Sequence, residues 1–443
     1  MKKTILNLYY VLLPILIIGV SLGYTSFAMA LAALMPLIFL STRHTIAVFL
    51  VMYGAPLCGV IRTMYPILPL YGLVMEFLGF LLMWDLIRSL FRSNIIAIWG
   101  MLLTLGVFGV FYYMGPMTKF ATTKYLMMCY HGLFMILGYY AFEKSSKIDV
   151  EGLTRLLLVA SICMFTYLIH VAGMSEGGLI DYNWFREQFL YYAKLTDWEG
   201  TVITYQHVGM LVSFAVAVFL SQSKLKSSLV FFYLVCAIQL ALVSGARQGI
   251  FGVLLVVFLR FTYYRGVLLY TRNYSNKLIG ITLGLIVFGY VSFEFLGMVG
   301  SEVVSQMLQG ETGRELNMLK AITLFHDNPI TGCGIGGYQY ITEYSWPHNM
   351  VLEILCETGI VGLMFSVLII FFSLFIKKQG LTYVTSSGQF YFLILMAIFV
   401  RVMVSSDLRE SIELFSAVFA ITAAKQQSLK YRLIKTLTIK RFL

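Results

Sequence analysis

Three side chains in this 443-residue chain have types and placements suited to group transfer: His348, Arg314 and Arg247. Arginine presents a planar fork that stays protonated and pairs bidentately with phosphate oxygens, and an imidazole can move a proton near neutral pH. His348 falls in Ser345-Trp346-Pro347-His348-Asn349, just before the apolar run that starts at Met350. Ser345 suits an N-cap and Pro347 a first turn, so His348 is expected in the opening turn of that helix. Partial positive charge there favours neutral imidazole and attracts anions. Arg314 is expected to open a short helix whose apolar stripe is Met318, Ala321, Ile322 and Phe325, closed by Asn328-Pro329. Arg247 sits in the turn Ser244-Gly245-Ala246-Arg247-Gln248-Gly249 between two apolar runs. The sequence has no P-loop, no His-Glu-x-x-His and no Asp-x-Asp pair, so a diphosphate handled by this chain falls to arginine rather than to a carboxylate-held metal.

The elements that position these residues are apolar. Hydrophobic residues make up 59% of the chain and charged residues 12%, with a mean hydropathy of +0.84. Soluble domains carry about twice that charge fraction, which excludes an ordinary globular enzyme. A ~30 Å hydrocarbon core needs about 20 apolar residues per crossing, fewer inside a bundle. Apolar runs at 5–22, 24–40, 44–61, 67–87, 94–115, 120–142, 152–174, 205–221, 227–243, 249–264, 278–298, 350–376, 388–404 and 410–424 predict an all-α polytopic membrane bundle of about 12–14 helices, a single domain over 1–443. The first run follows Lys2 and Lys3 without a small-residue cleavage site, as expected of a retained anchor.

The net charge of +11 follows orientation rather than nucleic acid. With the N-terminus cytoplasmic, about two thirds of the basic residues, including the tail from Lys425 to Arg441, fall on one side, as the positive-inside rule requires. Arg62, Lys119, Lys124, Arg186, Lys194, Arg247, Arg314, Lys320, Arg401 and Arg409 are assigned to the outer side, and both termini to the cytoplasm. Two outer connections are long, 175–204 and 299–349, and long loops on a packed scaffold are where binding and chemistry gather. The first carries Trp184, Phe185, Phe189, Tyr192 and Leu195 at near-helical spacing, an amphipathic helix lying on the interface. The second carries Arg314, the glycine-rich Gly332-Cys333-Gly334-Ile335-Gly336-Gly337 and His348. That run lacks the strand context of a dinucleotide fingerprint.

Cys58, Cys129, Cys163 and Cys236 fall inside apolar runs as small apolar residues; Cys333 and Cys356 could meet on the oxidising side, but the placement of Cys356 in a helix favours free thiols over a disulfide. Glu353 and Glu357 lie one turn apart on a face away from His348, so neither relays its proton, and Glu357 suits fixing a neighbouring helix or loop. Glu76 and Glu294 are intramembrane carboxylates that need a partner or a wet cavity. They are the features that fit a proton-coupled transporter or a lipid-linked sugar flippase; no internal repeat or pair of interrupted helices accompanies them.

The segment His348-Asn349, Leu352, Glu357, Gly359 and Gly362 resembles the signature of the O-antigen ligase and polymerase superfamily. Arg314 to Phe325 with Pro329 and Gly332-x-Gly334-x-Gly336 is similar to the block before that signature, and Ser244 to Gly249 to the family's arginine turn; Met318 and Ala246 depart from the usual residues. The resemblance covers 244–363. It implies a GT-C-like, metal-independent, inverting glycosyltransferase with no cofactor, at the outer face of the bacterial cytoplasmic membrane. The implied donor is a polyprenyl-diphosphate-linked oligosaccharide and the acceptor a saccharide, with the bilayer, a chain-length regulator and a flippase as partners and no nucleic acid. On this reading Arg314 and Arg247 hold the diphosphate, His348 takes the acceptor proton, and Asn349, Glu357, Gly334 and Gly336 line the substrate site. The favoured activity is polymerisation of repeat units into a surface polysaccharide, and the alternative is ligation to a lipid A-core acceptor.

Overall fold

In the computed structural model the described residues are 2–51, 71–85, 87–88, 95–144, 148–171, 205–222, 226–244, 246–262, 314–344, 346–375, 386–404, 408 and 411–420. Among them there is no strand. The helices are α1 (Lys2–Ser21), α2 (Phe27–Leu40), α3 (Tyr71–Leu82), α4 (Ile95–Met114), α5 (Lys119–Lys144), α6 (Val150–Val171), α7 (Tyr205–Leu220), α8 (Ser227–Val243), α9 (Arg247–Thr262), α10 (Arg314–Asp327), α11 (Gly337–Thr342), α12 (Met350–Phe375) and α13 (Ser386–Val404). Residues 43–51 and 411–420 are also helical. Among the described residues four helical segments are long and apolar enough to cross a membrane: Lys2–Ser21, Ala97–Met114, Val150–His170 and Met350–Phe371. The apolar run at 278–298, most of the one at 44–61 and the interfacial loop 175–204 with its Trp184 helix lie outside the described residues, as does Glu294. Glu76 lies in α3.

The chain divides into two compact, interleaved units: 1–79, 147–312 and 383–401 form the first, and 80–146, 313–382 and 402–443 the second. Each is assembled from early and late segments, so neither is a stretch of chain with its own boundary.

The first unit is built around α6, which packs on α1, α2, α7 and α8, while α7 also packs on α9. Asp149 Oδ1 accepts from Gly152 N at 3.0 Å and Glu151 occupies the first turn, so the start of α6 is capped and matched to its dipole. The Val150–His170 segment is buried along its length, as expected of a helix apolar all round. By contrast, α1 exposes Leu8, Val11, Ile15 and Ile18, an outward apolar stripe suited to lipid. Helices α7 and α9 approach at glycine: a Cβ on Gly249 would fall 2.6 Å from Gly209 Cα. Small residues at such a crossing let backbones touch where apolar solvent supplies no hydrophobic drive.

The second unit contains α4, α5, α10, α11, α12 and the helical segment 411–420. Its distinctive element is α12. The helix is interrupted at Gly359, where φ is +64° and ψ −165°, a conformation that only glycine adopts at low cost. The sequence pattern predicts an unbroken span there.

Candidate functional site

The interruption in α12 would leave backbone groups unpaired. Residues 329–334 take them up. Cys333 N donates to Cys356 O and Gly334 N to Glu357 O, both at 2.9 Å, on the near side of the break. On the far side Ile360 N donates to Pro329 O at 2.9 Å and Val361 N to Ile330 O at 3.2 Å. The glycines of this clasp are there for closeness: a Cβ at Gly332 would fall 2.4 Å from the Glu357 carbonyl carbon, and one at Gly334 2.2 Å from Gly115 Cα. Both have positive φ, as does Gly336. The glycine-rich run is therefore a close-packing device that joins α4, α5 and α12.

Charge completes the clasp. Lys124 of α5 is 1% exposed and donates to Glu353 Oε1 and, at 2.7 Å, to Glu357 Oε2; both carboxylates are fully buried. Glu357 Oε1 also accepts from Gly336 N at 3.0 Å. The expectation that Glu357 fixes a neighbouring helix or loop is met on both counts. An ammonium between two carboxylates away from water is held by charge-assisted hydrogen bonds, and removing one member leaves the others desolvated. Lys124, assigned by sequence to the outer side, is buried in the interior of this unit. The missed signal was two carboxylates at i and i+4 on an apolar helix, which demand a buried cation.

Helix α10 starts at Arg314 as expected and packs on α12. Its buried face is Asn317, Ala321 and Leu324, while Leu316, Leu319 and Ile322 are exposed. The expected stripe through Met318 and Ile322 is thus rotated. Ala321 joins Leu324, Tyr338 and Cys356 in a small core with Cys333 and Leu352 against it, and small Ala321 is what lets α10 close on that core. The Tyr338 hydroxyl donates to Asn317 O at 3.0 Å, and burial pushes this hydroxyl up from its usual pKa. Asn317 Oδ1 is buried with no hydrogen-bond partner. Burial and the nearby Glu357 carboxylate push the Cys333 thiol up to about 12. Cys333 and Cys356 are free thiols, although Cys333 N bonds to Cys356 O.

His348 is placed differently from expectation. The N-cap of α12 is Asn349, whose Oδ1 accepts from Val351 N at 2.9 Å and Leu352 N at 3.1 Å. Asn349 Nδ2 donates to Met403 O at 3.1 Å. Asparagine outranks most residues as a cap and stands immediately before the apolar run, so the helix begins later than a Ser345 cap would set it. His348 therefore precedes the cap, outside the opening turn, with φ at +60°. A left-handed non-glycine residue costs about 1–2 kcal/mol, and such outliers gather at functional sites. The Trp346 indole Nε1–H donates to His348 Nδ1 at 2.9 Å, with the rings edge to face at 5.5 Å. An accepting Nδ1 puts the proton of the neutral ring on Nε2.

Arg247 opens α9 after the Ser244 C-cap of α8, with Ala246 buried beside it. The structure thus brings Arg314, Asn349, Gly334, Gly336, Glu357 and His348 into the second unit, and Arg247 belongs to the first. Sequence reasoning missed Lys124, Trp346 and Asn317. Among the described residues no group of three or more His, Cys, Asp or Glu side chains is placed to hold a metal ion. No family model, curated protein or solved structure matches this chain.

Proposed function

We propose that this chain is a polytopic GT-C-like glycosyltransferase of about 12–14 spans in the bacterial cytoplasmic membrane, polymerising polyprenyl-diphosphate-linked oligosaccharide repeats at its outer face. One observation carries the reading. The stretch that resembles the ligase and polymerase signature, 314–363, is one packed module: α10, the glycine clasp, α11 and the start of α12 are bonded to one another through Tyr338, Cys333, Gly334 and Glu357. With His348 itself in a left-handed conformation between Pro347 and the Asn349 cap, the module serves as a presenting device for that imidazole.

In the proposed reaction the acceptor hydroxyl displaces the diphosphate at the anomeric carbon with inversion: the new C–O bond forms as the bond to the diphosphate oxygen breaks, and the hydroxyl proton leaves to water. Arg314 holds the departing diphosphate and stabilises its growing charge. His348 contributes its Nε2–H to the same oxygens. The base role expected for it needs Nδ1, which the Trp346 indole engages. Because negative charge builds on the departing diphosphate, stabilising it is an electrostatic demand that arginine and an imidazole N–H can meet.

The test is turnover of a lipid-linked repeat by the purified chain in proteoliposomes. Wild type should give a ladder of lengths from the repeat alone, and His348→Ala should lower that yield by about 100-fold or more at unchanged protein abundance. Wild-type yield from His348→Ala removes the histidine from the mechanism. A chain idle until a lipid A-core acceptor is supplied is a ligase, and transbilayer movement without a new glycosidic bond sinks the enzyme reading.

A further inference from the structure

At one end of the first unit, the start of α1, the first turns of α6 and the α7–α8 turn surround a cavity of about 410 Å³. Lys3, Arg155 and Lys226 line it, with Glu151 as the carboxylate among them. Three cations against one carboxylate select for an anion and against a metal ion. Arg155 is 4% exposed. Its Nη1 donates to Glu151 Oε1 at 2.6 Å, and the Tyr10 hydroxyl donates to that same oxygen, so the guanidinium is held rigidly. The Arg155 Nε–H, however, is buried with no hydrogen-bond partner. A buried guanidinium donor without an acceptor is costly, and a ligand oxygen in the cavity relieves it. The lysines supply mobile point charges and Arg155 a fixed donor, the combination that suits a tetrahedral oxyanion rather than a single oxygen.

The rest of the lining points to where that anion comes from. Leu6, Phe219 and Leu229 give the cavity an apolar flank. Leu8, Val11, Ile15 and Ile18 continue along α1 as its exposed apolar face. Lys3 thus stands where an apolar helix face ends, the depth at which phospholipid headgroups lie.

We propose that this cavity binds a phosphate group, that of an anionic phospholipid headgroup or of a free phosphate compound, with Arg155 Nε and the Lys3 and Lys226 ammoniums as its donors. The site is independent of the glycosyl-transfer reading, because none of its residues takes part in that chemistry. Native mass spectrometry of the delipidated full chain in detergent, titrated with phosphatidylglycerol or phosphatidylcholine, tests it. A parallel melting series compares inorganic phosphate with phosphatidylglycerol. Phosphatidylglycerol should bind in preference to phosphatidylcholine, and the Lys3→Gln, Lys226→Gln double variant should lose about 30-fold of that preference. Both lysines are exposed, so the variant should melt like wild type when lipid-free. Arg155→Lys, which keeps a charge beside Glu151 but removes the Nε donor, should weaken phosphatidylglycerol binding by about fivefold. A melting shift from inorganic phosphate equal to that from phosphatidylglycerol, and lost in the double variant, identifies a free phosphate compound as the ligand. Equal binding of the two lipids without such a shift, or a double variant that binds like wild type, overturns the site.

Discussion

The two long apolar segments Val150–His170 and Met350–Phe371 have similar mean hydropathies, 1.8 and 2.3, yet they are built for different work. The first is buried from Gly152 to Ile169, and its Ser161 and Thr166 hydroxyls donate to carbonyls of its own previous turn. From Leu156 to Ile169 nothing in that segment asks for a partner beyond close packing; its charges, Glu151 and Arg155, are confined to the opening turns and pair with each other. The second is broken at Gly359 and carries Glu353 and Glu357 on its buried side. It is completed by Lys124 from α5 and by the 329–334 clasp. Apolarity says that a helix belongs in a dry place. Whether it can stand there alone is decided by its backbone continuity and its charges.

The largest difference should appear when the charges are cut. Glu357→Ala leaves buried Lys124 with Glu353 alone and strands the Gly336 N–H, and unfolding titrations in mixed micelles should show a loss of about 3–5 kcal/mol, with falling abundance in cells. Ser161→Ala in α6 should stay within about 1 kcal/mol of wild type. Equal losses from the two substitutions would erase the contrast.

Glycine gives the next step. Gly359→Ala would put a Cβ 2.2 Å from Ile330 O in a left-handed conformation and should cost about 2–4 kcal/mol in the same titration. In the first unit a Cβ on Gly209 would meet Ala246 Cβ at 2.5 Å, so Gly209→Ala should cost about 1–3 kcal/mol and recover in part when combined with Ala246→Gly. No side-chain truncation should rescue Gly359→Ala, since its clash is with backbone. A second-site rescue there would show that the clasp yields more readily than four backbone bonds imply.

The site offers a smaller, sharper test. If the Trp346 indole locks the His348 tautomer, Trp346→Phe should lower turnover about tenfold while leaving the unfolding midpoint close to wild type. Turnover that holds or rises would restore the base role, because the substitution releases Nδ1 from its donor. The smallest effect belongs to Cys333. A thiol that ionises at about 9 in the unfolded chain and about 12 in the folded one is protonated in both states at neutral pH. Between those values the unfolded chain has shed a proton that the folded chain retains. Stability should therefore decline as pH rises from about 9 toward 12, and Cys333→Ser should flatten that decline.

The helices were legible because apolar runs of the right length are a local signal: the ends of α4, α5 and α8 follow the runs 94–115, 120–142 and 227–243 within two residues. Arg314 at the start of α10 was legible for the same reason. What escaped depends on partners distant in sequence. Gly359 reads as an ordinary residue of an apolar run until Ile330 is known to lie against it. Lys124 counts as a loop-side charge until Glu353 and Glu357 are known to face it. Arg260, counted by sequence among the cytoplasmic charges, also has partners the sequence did not announce: its Nε donates to Leu220 O at 2.7 Å and its Nη2 to Gln222 O at 3.1 Å, and the residue is 2% exposed. The α10 stripe failed for a subtler reason, since the most apolar side of a short helix is not the inward one when a small residue controls how closely it docks.

The clasp on α12 also governs how that helix can move. A glycine break in a long helix is an obvious candidate for a hinge, free to swing. Here the two lips of the break are bolted to the same short segment, with Cys333 and Gly334 on one side and Pro329 and Ile330 on the other. Straightening or bending the helix has to shear all four bonds together, at about 1 kcal/mol net for each. The yielded form would then be populated on the order of once in a thousand molecules. Gly359 is in that sense a set elbow, and motion of α12 carries the 329–334 segment with it as one rigid piece.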